Sequence, residues 1–288
     1  MIVKQNESLK SKTTFHVGGT AKNFFVPEGE SELIELVCSL LRAGESFKVL
    51  SGGSNILIND KKEFDNVIYM EKAAKDLVDE GNGHFYVGAS NRIQEVIHFV
   101  NDKEYGGFEE LIGLPAMFGG IIYMNAGIGA RKSVRFNISE FIEKVKVVEI
   151  KTGTICWLKR DDCGFGYRCS IFQNDEFIIL GAELMLHPQT KEESQNRITK
   201  RVNYCKNNQE WGKGCFGSCF SESNGKILKI IRALSFRQKG VYQSAKSANW
   251  LVNDGTASYD DAMKWIKLCV FSHKLFCRKI ECEVRIWD

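Results

Sequence analysis

Two glycine-rich turns constrain how this chain can fold. The stretches LSGGSN (residues 50–55) and GLPAMFGGIIYMNAG (residues 113–127) each lie beside an apolar run. Glycine reaches positive φ and lets the backbone approach another group closely, and successive N–H groups in such a turn form an anion-holding nest. Two such turns in one chain suit a diphosphate, which offers oxygens on two sides, and a dinucleotide is the usual owner of that group. Neither turn is the G-x-G-x-x-G fingerprint or a Walker A loop. Tight turns use the same residues, so the turns alone leave hairpin and phosphate cradle both open.

The pattern around them mixes strands and helices. FKVLSGGSNILI (47–58) reads as strand, glycine turn, strand; NVIYM (66–70), FYVGA (85–89), Val145 to Ile150, ICWL (155–158) and EFIILGAELML (176–186) are β-branched or aromatic runs. SELIELVCSLLRAG places Leu33, Leu36, Val37, Leu40 and Leu41 on one helical face with Gly44 as the stop, and NRIQEVIHFVND does the same with Ile93, Val96, Ile97 and Val100. Near the end, Ser258 is expected to cap a helix whose inner face carries Ala262, Trp265, Ile266 and Cys269, and IECEVRIW alternates like a strand. The fold class expected is α+β. Character changes near His187–Pro188, where a long apolar strand gives way to a polar, lysine-rich stretch, so the domains expected are 1–187 and 188–288.

Composition excludes several function classes. A net charge of +3 with scattered basic residues gives no phosphate-tracking stripe, so no nucleic-acid partner is expected. No apolar run approaches the roughly 18 residues of a spanning helix, and MIVKQNESLK lacks a secretory stretch, so no membrane partner and a cytoplasmic location are expected. The ten cysteines contain no C-x-x-C and the five histidines form no pair, so free, mostly buried thiols are expected and no metal site.

The order of the motifs is more specific than any one of them. TTFHVGGTAKNFFVPE (13–28), LSGGSNILIND (50–60), GLPAMFGGIIYMNAG (113–127), FGYRCSIF (165–172), FGSCF (216–220), SAKSANWLVNDGTAS (244–258) and ECEVRI (281–286) span nearly the whole chain. In this order they resemble the UDP-N-acetylenolpyruvoylglucosamine reductase (UDP-N-acetylmuramate dehydrogenase) family, flavoenzymes of peptidoglycan synthesis. The short stretch after residue 186 is similar to the family's shorter form, without a tyrosine-bearing insert. The resemblance implies a two-lobed FAD-binding region of the UDP-N-acetylmuramate dehydrogenase/PCMH type, then a smaller α+β substrate-binding domain whose last strand returns to the flavin. It also implies FAD as cofactor, NADPH as hydride donor, a UDP-sugar as substrate and no obligate protein partner.

Site residues follow from the same resemblance. Gly52, Gly53, Ser54 and Asn55 match the first flavin loop; Gly113, Pro115, Gly119, Gly120, Asn125, Ala126 and Gly127 match the second. Reduction of an enolpyruvyl double bond leaves an enolate-like anion and then needs a proton, so the protein must stabilise negative charge and place a donor. Arg168 in GYRCS matches the arginine that faces the substrate carboxylate, Ser218 in FGSCF the proton donor, and Glu283 in ECEVRI the glutamate that shares in stabilising the intermediate. Four positions depart from the family pattern. The lysine expected after Phe220 is missing, Ala116 stands for glycine, Ser247 for histidine and Cys282 for proline. These departures keep two alternatives open, a flavin oxidoreductase of the same fold on another substrate and a non-catalytic flavin-binding protein.

Overall fold

The computed structural model describes residues 1–129, 131, 133, 135–234 and 239–288. The chain forms two units: Met1–Asn6, Lys22–Gly52 and Phe64–Val202 make the first, and Glu7–Ala21, Gly53–Glu63 and Asn203–Asp288 the second.

The first unit is built on two sheets. One runs in the order Ile2–Ser8, Thr20–Val26, Glu63–Tyr69, Lys48–Leu50. The other is antiparallel throughout, in the order Ile155–Lys159, Ile142–Glu149, Phe177–Met185, His84–Gly88, Leu77–Gly81. Helix α1 (Glu30–Arg42) buries Leu33, Leu36, Val37 and Leu40 against Ile68, Val148, Ile178 and Leu180. Gly44, at φ 68°, follows its last turn, as the sequence leads one to expect. Helix α2 (Ile93–Asp102) buries Ile93, Val96, Ile97 and Val100 against Val145, Val147, Ala182 and Leu184. The strand Phe177–Met185 therefore contributes to both apolar clusters, which is why its sequence runs apolar without alternation from Phe177 to Ala182. Helix α3 (Phe118–Tyr123) is short and lies within the second glycine-rich stretch; α4 (Lys191–Asn208) is the polar, lysine-rich stretch.

The second unit holds a three-stranded antiparallel sheet, Gly214–Ser218, Trp250–Asn253 and Val241–Gln243. Helices α5 (Gly225–Ala233) and α6 (Tyr259–Leu275) pack their inner faces into a cluster that includes Phe15, Phe216, Phe220, Leu251, Trp265 and Ile266. Ser258 caps α6 by accepting the Asp261 N–H, while the Asp261 carboxylate accepts the Ser258 N–H at 3.0 Å. Buried His273 ties α6 to α5: its Nδ1 meets the Cys269 carbonyl at 2.7 Å, and its Nε2 accepts the Asn224 N–H at 2.9 Å.

The architecture is α+β. Two sequence readings are corrected. IECEVRIW is not one strand: Glu281–Cys282 pairs antiparallel with Phe220–Glu222, while Arg285–Trp287 pairs parallel with Ile56–Ile58. The ladder breaks at Glu283–Val284, where the chain changes partner. The thiols are free but not mostly buried: Cys163, Cys205, Cys219 and Cys269 are buried, and Cys169, Cys277 and Cys282 are exposed. Among the described residues no helix is long and apolar enough to cross a membrane.

Candidate active site

In the first unit the two glycine turns meet. A Cβ on Gly52 would sit 3.0 Å from the Met117 amide nitrogen, and one on Gly119 3.0 Å from Ala89 Cβ, so a side chain at either position would require its neighbour to give by a few tenths of an ångström. Gly120 differs: a Cβ there would meet only Ser51 Oγ, at 3.8 Å. That hydroxyl is buried and has no hydrogen-bond partner among the described residues. A buried hydroxyl beside an open glycine is an unmet donor at a place where a phosphate oxygen would be welcome. On this geometry the Ser51–Gly52 and Met117–Gly120 backbones fit an FAD diphosphate. Ser51 was not singled out from the sequence; its place in LSGGSN was the available signal.

The remainder of the second turn serves as scaffold. Gly113 ends a 3-10 turn, Glu109–Gly113, and Pro115 is exposed. Asn125 is buried at φ 41°; its Nδ2 donates to the Gly166 carbonyl at 2.9 Å and its Oδ1 accepts the Ser139 N–H at 3.1 Å. The Ala126 carbonyl accepts the Ile138 N–H at 2.8 Å, and a Cβ on Gly127 would lie 2.1 Å from the Phe136 carbonyl oxygen. These contacts present the carbonyls of Asn125 and Gly127 to Arg168. Its guanidinium donates to Gly127 O at 2.9 Å and to Asn125 O at 3.5 Å, and stacks 4.9 Å from the centre of the Tyr167 ring. Gly166 and Cys169 exchange two backbone hydrogen bonds around Tyr167 and Arg168, which holds Arg168 at φ 57°. A left-handed arginine is disfavoured on its own and persists where its surroundings impose it.

In the second unit the first glycine turn continues. Gly53 has φ 62°, and a Cβ there would lie 2.0 Å from the Lys12 carbonyl oxygen. Its own carbonyl accepts the Thr14 N–H at 3.0 Å. Thr14 Oγ1 donates to the Cys215 carbonyl at 2.8 Å and reaches the Ser54 carbonyl at 3.4 Å. Thr14 thus joins the glycine turn to the strand that ends in Ser218, a role its sequence context did not suggest. Asn55 holds the C-terminal segment: Nδ2 donates to the Glu283 carbonyl at 3.1 Å, and its carbonyl accepts the Arg285 N–H at 3.1 Å. The Glu283 N–H in turn donates to the Cys219 carbonyl at 2.8 Å. Three predicted residues, Asn55, Ser218 and Glu283, are therefore brought to one backbone junction.

Ser218 is positioned by its strand neighbours. Gly217, at φ 77° with open space at its Cβ position, lies in the irregular stretch of pairing between Cys215 and Ser218. Ser218 faces Trp250 across the sheet, and the indole Nε1 donates to Ser218 Oγ at 3.3 Å. Asn249 clamps the next turn, donating to Phe220 O at 2.8 Å and accepting the Phe220 N–H at 3.1 Å. Burial pushes the thiols of Cys215 and Cys219 up, Cys219 the further, so neither flanks the serine as a thiolate. Lys246 Nζ donates to the carbonyls of Lys206, at 2.9 Å, and Gln209, at 2.7 Å, and so caps the end of α4.

A sheet-based unit whose two glycine turns meet at a buried, unpartnered hydroxyl suits a flavin diphosphate. The FAD binding domain family matches residues 21–159. The chain is 30% identical to the UDP-N-acetylenolpyruvoylglucosamine reductase of Fervidobacterium nodosum over 98% of its length and 91% of that protein. It is 29% identical to the enzyme of the same name from Halalkalibacterium halodurans over 92% of its length and 87% of that protein. The crystal structure of the Thermus caldophilus reductase superposes with a TM-score of 0.79 at 26% identity, covering 100% of both chains. The chain belongs to the UDP-N-acetylenolpyruvoylglucosamine reductase family and is an FAD-dependent oxidoreductase acting on a CH–CH bond.

Proposed function

We propose that the protein reduces the enolpyruvyl double bond of UDP-N-acetylenolpyruvoylglucosamine with NADPH, giving UDP-N-acetylmuramate for peptidoglycan in the cytoplasm. Flavin binding is assigned to residues 1–187 and the UDP-sugar to residues 188–288. Bound FAD would carry hydride between NADPH and the substrate carbon; the remaining work belongs to side chains. Arg168 meets the substrate carboxylate: two carbonyls orient its guanidinium plane, and a planar, permanently charged fork suits a carboxylate. Ser218 donates the proton. Because its oxygen already accepts the Trp250 N–H, its own O–H points elsewhere, and the alkoxide left after transfer keeps a donor. Glu283 holds a proton or a proton network beside the developing anion, since a bare carboxylate would repel it.

The observation that supports this reading most is the junction at which the Glu283 N–H meets the Cys219 carbonyl and Asn55 meets the Glu283 carbonyl. It ties the glutamate to the serine strand and to the glycine turn at once. The test is to purify the protein, record its visible spectrum, reduce it with NADPH and add the enolpyruvyl UDP-sugar. Reoxidation by that sugar is expected; a colourless protein sinks the reading. The sequence SES after Phe220, where the family carries lysine, favours one second reading, a different substrate. Reduced flavin that this sugar leaves unchanged would select it.

A further inference from the structure

Helix α6 is apolar on the side it buries and again, unexpectedly, on part of the side it exposes. Ala262, Trp265, Ile266, Cys269 and His273 face the core. At 3.6 residues per turn, Lys264, Lys267, Phe271, Lys274 and Leu275 fall on the opposite side. Phe271 is 64% exposed, Leu275 66%, and Phe276, just past the helix, 58%. From Ala262 to Ile280 there is no acidic residue. The one carboxylate on this stripe, Asp260 at its N-terminal end, is paired with Lys61 at 2.5 Å. The neighbouring α5 repeats the composition, exposing Ile230 and Leu234 beside Lys226 and Lys229.

We infer that this face is a docking surface for an anionic lipid bilayer. Interleaved lysines and large apolar side chains on a helix lying flat are the features of an interfacial helix: rings and aliphatic chains enter the acyl boundary while lysines reach up to phosphates. Charge decides among occupants. A second copy docked through a twofold axis would set lysines against lysines, and like charges in register oppose association. A protein groove would want an apolar ladder at i, i+3, i+4, i+7, whereas here that ladder is interrupted by lysine on successive turns. The stripe is hidden in the sequence because its basic residues are scattered; only the helix gathers them.

The test is flotation of the full-length protein with phosphatidylglycerol-containing and with pure phosphatidylcholine vesicles, at low and at high salt. Binding is expected to the anionic vesicles alone, and to fall with salt. Each of Lys264→Gln, Lys267→Gln and Lys274→Gln should lower the partition coefficient about fivefold, which is the ~1 kcal/mol carried by a basic residue near such a surface. Phe271→Ser with Leu275→Ser should abolish binding while melting temperature and flavin content stay as in the parent protein. Equal binding to both vesicles, or to neither, overturns the inference. So does a concentration-dependent dimer in sedimentation velocity that the Phe271→Ser, Leu275→Ser variant dissolves.

Discussion

The indole Nε1–H of Trp250 donates to Ser218 Oγ at 3.3 Å, across a strand pair in which the two residues face each other. A serine hydroxyl is a weak acid, and a donor fixed on its oxygen favours the charged form that proton transfer leaves behind. Trp250→Phe keeps the packing and removes that donor. Flavin reoxidation by substrate should slow about tenfold to hundredfold, matching the ~1.5–3 kcal/mol of a hydrogen bond to a charged group. Stopped-flow spectroscopy should show flavin reduction by NADPH unchanged, and the solvent isotope effect on reoxidation should rise.

Arg168 touches two backbone carbonyls of the second glycine turn, so its removal tests catalysis against scaffolding. If it stabilises the substrate anion, Arg168→Ala slows reoxidation by about 10²–10³, and flavin reduction stays near the parent rate. Arg168→Lys retains charge without the planar fork and should recover little. Equal losses in the two half-reactions would assign Arg168 to holding the turn alone.

Ser51 and Gly53 are two residues apart and should fail differently. Ser51→Ala deletes a buried hydroxyl that has no hydrogen-bond partner among the described residues, so the melting temperature without added FAD should hold or rise. FAD affinity should fall roughly tenfold, one hydrogen bond's worth. Gly53→Ala forces a Cβ toward the Lys12 carbonyl at φ 62°. That strain costs about 1–3 kcal/mol, and the apo protein itself should melt lower.

Alkaline stability should depend on buried thiols. Desolvation pushes Cys163 and Cys269 up to about 12 from 9.0. The folded chain therefore keeps these protons where the unfolded chain loses them. Their stabilising contribution is complete below pH 9 and declines as pH rises from 9 toward 12, by up to about 1.4 kcal/mol per pH unit for each thiol. Urea titrations from pH 8 to 10.5 should show this fall, and Cys269→Ala should flatten it. An unaltered slope in that variant would show that this thiol titrates alike in both states.

Where neighbours in sequence are neighbours in space, the sequence was readable. α1, α2 and α6 announce themselves by a periodic apolar face, and Ser258 by its capping position. The glycine turns were visible as well, but their partners were not. Ser51 matters because Gly120 lies opposite, and Thr14 because it reaches Cys215. ECEVRI alternates yet its ladder breaks at Glu283, because alternation does not say which strand lies beside it. The motif order placed Arg168, Ser218 and Glu283 as candidates; their carbonyl and indole contacts depend on pairings that no local pattern encodes.

The bond from Asn55 to Glu283 closes a separation of 228 positions. On a ribosome adding about 5–20 residues per second, the turn at Asn55 waits roughly 11 to 46 s for the segment that completes it. Such distant pairing is also slow to form after release, since a long loop must close before any contact rewards it. Completion of this junction is therefore a late event in the life of each new chain, and a prematurely terminated product can bury much of its core while leaving this turn unfinished.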